Sequence, residues 1–231
     1  MQGRSSIIVL LLLLLHGSAI GARPAPDPFE KRCEREMRPA IDVSVAPIGY
    51  RVVNSVSSAR LMNRSTHGSM NDLMLGLTEI HIESEVLFDA PGLVDAAGAR
   101  ECVAPVVTVT LTLPPLGVFI AREFSPNSCS YREVLAHEMR HVQIYRSALP
   151  LLEQQLRAAL AGRFGNRPVY AARGQGMRTL AREVDDWLRP MIRAGLATIE
   201  RAQAELDSPE EDARMSHACQ GEVALNVTSA M

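Results

Sequence analysis

The chain has 231 residues, of which 47% are hydrophobic and 22% charged, and it carries a formal net charge of −2. That balance is globular rather than disordered, and it removes any electrostatic case for nucleic acid or an anionic membrane surface. Of the 24 basic residues only Lys31 is a lysine, and the arginines are scattered rather than gathered into a phosphate-binding stripe.

The chain opens with Arg4, an unbroken apolar run from Ile7 to Leu15 and then the small residues Gly17, Ser18, Ala19, Gly21 and Ala22. Residues 1–22 read as a secretory signal peptide, with cleavage after Ala19 or Ala22. The apolar run is too short for the ~20 residues a spanning helix needs, so no permanent membrane span is expected. Secreted or periplasmic localisation follows.

Residues 23–40 hold Pro24, Pro26 and Pro28 ahead of mixed charge and read as an extended Pro-rich arm. Residues 41–231 show no internal repeat and are expected to form a single domain. Ile41 to Val45 and Tyr50 to Val53 are short, β-branched candidates for strands. His67 lies in the loop signal Thr66-His67-Gly68 and is given no function. Thr78 to Phe88 includes an alternation that turns Ile80 and Ile82 one way and His81 the other, so His81 is expected to be an exposed strand residue. From Val106 to Leu113, four apolar side chains alternate with Thr108, Thr110 and Thr112, and Pro114-Pro115 ends the strand.

Ser130-Tyr131-Arg132-Glu133 reads as a capping box, and the apolar series Val134, Leu135, Val142 and Ile144 extends a helix from about residue 131. Pro150 is expected to end it near Leu149. Further helices are expected over Leu151 to Ala161 and over Met177 to Leu206, with a kink at Pro190 and a loop at 165–168 between them. Strands first and helices second predict an α+β domain: a small β-sheet followed by long helices, with the first helix packed on the sheet.

That first helix carries His137-Glu138-Met139-Arg140-His141, the H-E-x-x-H spacing. At about 100° per residue, His141 falls about 40° from His137 and Glu138 about 100° from it, so all three share a face. Two neutral imidazoles at i and i+4 can hold one Zn²⁺ with positions left open, while the carboxylate reaches the water rather than the metal. The expected cofactor is therefore Zn²⁺, held by His137 and His141, with Glu138 as catalytic general base. The expected activity is a zinc metallopeptidase acting on a protein or peptide. The spacing also leaves open a hydrolase acting on bonds other than those of proteins, and an exported zinc-containing binding or assembly protein without proteolytic activity.

Four cysteines, Cys33, Cys102, Cys129 and Cys219, follow the signal peptide, and an even count in an exported chain predicts two disulfides. Three pairings are possible; the preferred one joins Cys102 with Cys129 and Cys33 with Cys219. Cys219 as a metal ligand is the alternative. For the third zinc ligand, glutamates 153, 183, 200, 205, 210, 211 and 222 are all available for a His₂Glu set, and spacing alone does not choose among them.

The segment running from Cys102 through Leu113-Pro114 to Leu135-Ala136-His137-Glu138-Met139-Arg140-His141 resembles a family of bacterial predicted secreted Zn-dependent proteases. The order is a cysteine, a strand ending in Leu-Pro, then the metal helix. The family also carries a late Asp and His element, and Asp212-Ala213-Arg214-Met215-Ser216-His217-Ala218 occupies the corresponding place. The resemblance implies His217 as third metal ligand, ahead of Glu205, with Asp212 behind it to orient its imidazole. It implies an oxyanion donor as well, for which Tyr145 and Tyr170 are the chemical candidates.

Overall fold

Val107, Val109 and Leu111 sit on one face of an alternating strand, and burying that face organises the first sheet. The computed structural model describes residues 28–64, 74–165 and 167–223. The expected signal peptide and His67 lie outside them. In chain order the elements are α1 (Pro28–Glu36), β1 (Ala40–Val45), β2 (Tyr50–Val53), α2 (Ser58–Met62), β3 (Gly76–Glu79), β4 (Glu83–Asp89), β5 (Gly92–Val94), β6 (Arg100–Val103), β7 (Val106–Thr112) and β8 (Leu116–Ile120). After these come α3 (Cys129–Phe164), β9 (Val169–Ala172), α4 (Gly176–Glu183), α5 (Arg189–Leu206) and α6 (Pro209–His217). The architecture is α+β, small sheets followed by a long helix packed on them.

Strand β7 pairs in parallel with β1 and antiparallel with β4, and β8 repeats the pattern with β2 and β3. These two sheets are one three-stranded ribbon broken at a common level. Pro47, Pro114 and Pro115 interrupt two of its strands there and Ile80–Ile82 the third, yet Ala46 N still donates to Leu111 O and Leu116 N to Gly49 O across the break. Proline has no N–H for the ladder, so pairing lapses and resumes on the far side. The single strand expected over Thr78 to Phe88 is therefore two, β3 and β4, and His81 is exposed in the break between them. A third sheet, in the order β5-β6-β9, is antiparallel throughout.

Helix α3 lies against β1, β3 and β8 and against α5. It begins earlier than the sequence suggests. Ser128, not Ser130, is the N-cap, its hydroxyl accepting from Tyr131 N, while Ser130 is fully buried. The helix also runs straight through Pro150 for 36 residues in all. An interior proline costs about 3 kcal/mol, whereas Leu149, Leu152, Leu156 and Leu160 are all buried on the packed face, each contributing about 1.5–3 kcal/mol. Packing wins, and Pro150 is left on the exposed side. Against this face α5 comes so close that a Cβ on Gly195 would fall 2.3 Å from Leu152 Cδ1.

The kink expected at Pro190 takes the form of a π turn over Val184–Leu188, in which Arg189 N donates back to Val184 O. The wider turn shifts the hydrogen-bond register just ahead of the residue that cannot donate. The described part of the Pro-rich arm is not extended: Pro28–Glu36 is helical and is tied to β6 by Cys33–Cys102. The second disulfide is Cys129–Cys219, joining the first residue of α3 to the turn after α6. Both pairings differ from the one preferred on sequence, because β6 lies beside α1 and the start of α3 lies beside the turn after α6. With all four cysteines bonded, Cys219 has no thiolate to offer a metal. Among the described residues no helix is long and apolar enough to cross a membrane.

Candidate metal centre

Three elements converge on the H-E-x-x-H turn of α3. β3 runs beneath Glu138, the C-terminal end of α5 brings Gln203 and then Asp207, and the first turn of α6 brings Glu211. The Nε2 atoms of His137 and His141 stand 3.2 Å apart. Asp207 Oδ1 is 3.0 Å from the first and 2.9 Å from the second. A tetrahedral zinc with bonds of about 2.0 Å places its ligands about 3.3 Å apart, so these three atoms approximate one face of such a tetrahedron. His137, His141 and Asp207 could hold a metal ion.

The opposite ring nitrogens set the tautomers. His141 Nδ1 lies 2.5 Å from Gln203 Oε1, and Gln203 Nε2 in turn donates to the carbonyl of His141 at 3.2 Å. His137 Nδ1 lies 3.0 Å from Glu211 Oε1, which also receives Arg140 and Arg214. Gln203 Oε1 and Glu211 Oε1 are acceptors for the two Nδ1–H groups, the tautomer that frees both Nε2 lone pairs for a metal. The donor Arg140 Nη2 also stands 2.9 Å from His137 Nδ1. Such a cluster calls for a positive charge at its centre, a proton or a metal ion.

The local electrostatics agree. Burial would raise the Asp207 pKa, but hydrogen bonds from the two imidazoles outweigh it and hold the carboxyl well below its usual range. Burial would lower the pKa of His141, yet Asp207 and the charge of Glu138 raise it. At Glu138 burial dominates: the residue is 4% exposed, and desolvation raises its pKa against the pull of His141, Thr78 and His137. The Thr78 hydroxyl donates to Glu138 Oε2 at 2.7 Å. Gly76 closes the other side, where an added Cβ would lie 2.4 Å from Glu138 Oε1. Glu138 is fixed in place by a strand that can approach only because it has a glycine there.

The structure thus brings His137, Glu138 and His141 to one face, and sets Asp207 where His217 was expected. His217 is exposed at the last residue of α6 and is outside this group. Asp212 is exposed on the first turn of α6, and the orienting contacts to the imidazoles come from Gln203 and Glu211 instead. Glu205 is also outside the group. Of the two tyrosines, Tyr145 is buried one turn beyond His141, whereas Tyr170 lies on β9 in the third sheet, 45% exposed. Asp207 and Gln203 escaped sequence reasoning. The one local sign was Ser208-Pro209-Glu210-Glu211, a helix start that forces the chain to turn at Asp207. No family model, no curated protein and no solved structure matches the chain.

Proposed function

We propose that this protein is a zinc-dependent peptidase in which His137, His141 and Asp207 hold the metal and Glu138 is the general base. The observation that carries the reading is the convergence of two Nε2 atoms and Asp207 Oδ1 to within 3.2 Å of one another, beside a buried carboxylate whose pKa is raised. Three protein ligands leave a position open, which is the mark of a catalytic rather than a structural zinc site. When bound, zinc supplies Lewis acidity that acidifies water and polarises a carbonyl.

The remaining steps belong to the chain. Glu138, anchored through Oε2 by Thr78, takes the proton of the attacking water and delivers it to the leaving amine. Its burial raises its basicity toward the working pH, and Gly76 prevents it from swinging away. Gln203 and Glu211 keep both imidazoles in the ligating tautomer. The resemblance of the segment from Cys102 to His141 to secreted zinc-dependent proteases supports the same class, and two disulfides are compatible with work outside the cytosol.

The test is Glu138→Gln in zinc-loaded protein. Peptide cleavage should fall by about 10²–10⁴-fold with zinc content unchanged, the loss expected on removing a general base. Zinc bound at full stoichiometry with no peptide cleaved by the parent protein would instead assign the chain to the exported zinc-binding or assembly class.

A further inference from the structure

Three of the elements that position the metal centre, α3, α5 and the chain leaving β3, also contribute, one step further along, to a cavity of about 250 Å³. Tyr145 is one turn beyond His141 on α3. Ile199 and Glu200 are one turn before Gln203 on α5, with Leu196 a turn earlier. Ile80 and Ile82 follow directly after β3, whose Thr78 holds Glu138. A helical turn advances about 5.4 Å, so a chain held across the imidazoles has this cavity within reach of a neighbouring side chain.

The lining is of two kinds. Ile80, Ile82, Leu196 and Ile199 form aliphatic walls; His81 also lines the cavity, with its Nε2 3.3 Å from Glu83, and the other polar groups are the Tyr145 hydroxyl and the Glu200 carboxylate. Among the described residues, neither of these polar groups has a hydrogen-bond or ion-pair partner. A purely aliphatic occupant would leave both polar groups unmet, and an acidic one would face the Glu200 charge. A side chain with a methylene stem and a cationic head satisfies both surfaces.

We propose that this cavity is the specificity pocket of the peptidase, taking the side chain of a lysine or arginine beside the scissile bond. The stem lies on the isoleucine and leucine walls, and the cationic head donates to Glu200 and to the Tyr145 oxygen. Burial and Glu200 push the Tyr145 phenol up to about 12, so it stays neutral beside the incoming cation. The assignment rests on the zinc-peptidase reading, and binding is the readout that separates the two.

The experiment uses zinc-loaded Glu138→Gln protein, which cannot turn substrate over, and fluorescein-labelled Ala/Gly heptapeptides carrying one central lysine, norleucine or glutamate. Fluorescence anisotropy should show lysine bound about tenfold more tightly than norleucine, with glutamate weakest, as one charge-assisted contact implies. Adding Glu200→Gln should bring the lysine-to-norleucine ratio toward one, at an unchanged melting temperature. Lysine preference that depends on Glu200, in a protein whose parent cleaves nothing, upholds the pocket and removes the peptidase. Cleavage without lysine or arginine preference, or a preference that survives Glu200→Gln, overturns the pocket and leaves the peptidase standing.

Discussion

Glu138 is bounded by Thr78 on one carboxylate oxygen and by the bare Cα of Gly76 on the other, so its position depends on a residue with no chemistry of its own. Gly76→Ala would place a methyl 2.4 Å from Glu138 Oε1 and 2.8 Å from Val134 Cγ1. We expect this substitution to cost about 1–3 kcal/mol of stability through overpacking and to lower kcat with zinc still bound. Urea unfolding together with elemental analysis checks both parts; wild-type kcat in the alanine variant would show that the strand does not position the base. His141 gives a pH prediction. Burial opposes its protonation, but Asp207 and Glu138 win and raise its pKa above 6.5. In metal-free protein the imidazolium therefore stabilises the fold fully below its unfolded pKa, and that stabilisation is lost as pH rises through the raised folded value. Zinc requires the neutral ring, so its affinity should climb with pH over the same interval. Competition titrations between about pH 5.5 and 8.5 should show this rise, and a flat profile would contradict it.

Long α3 shows why local sequence signals mark the H-E-x-x-H turn better than they mark the ends of the element. The spacing of His137, Glu138 and His141 depends only on the helical period, so the shared face is legible without any tertiary information. Its ends are not local. Ser128 rather than Ser130 caps the start, because Ser130 is turned into the interior, and Pro150 fails as a stop because the leucines beyond it are buried. If the helix is continuous, Pro150→Ala restores a backbone donor to Arg146 O and should stabilise the protein by about 1–3 kcal/mol. A loss of stability would mean that the chain does break there. The disulfides are equally non-local. Cys102 and Cys129 are near in sequence, but Cys102 bonds to Cys33 on α1, and the bond Cys129 forms, Cys129–Cys219, fastens the start of α3 to the segment that follows α6. Non-reducing peptide mapping should recover Cys33–Cys102 and Cys129–Cys219, and each bond should contribute about 2–4 kcal/mol, read as a lower melting temperature on reduction. Recovery of Cys102–Cys129 would overturn this arrangement of α3 and α6.

At the scale of the molecule, the broken three-stranded ribbon supports one face of α3 and leaves its candidate metal-binding turn to be completed by α5 and α6. The strands β1, β2 and β7 are legible from their β-branched alternation, and the α+β class follows from the order of elements. β8 is not, because all five of its residues are buried and a continuous apolar run has no period to read. Asp207 is the same problem at the site: it meets His141 across 66 residues, at a helix-to-helix turn where many carboxylates look alike in sequence. The identity of that third donor is the claim on which the metal centre stands. Zinc stoichiometry in freshly purified protein, measured side by side in Asp207→Ala and His217→Ala, tests it most directly. We expect one zinc per chain in the parent and in His217→Ala, and loss of it in Asp207→Ala; zinc retained without Asp207 and lost without His217 would contradict the site described here.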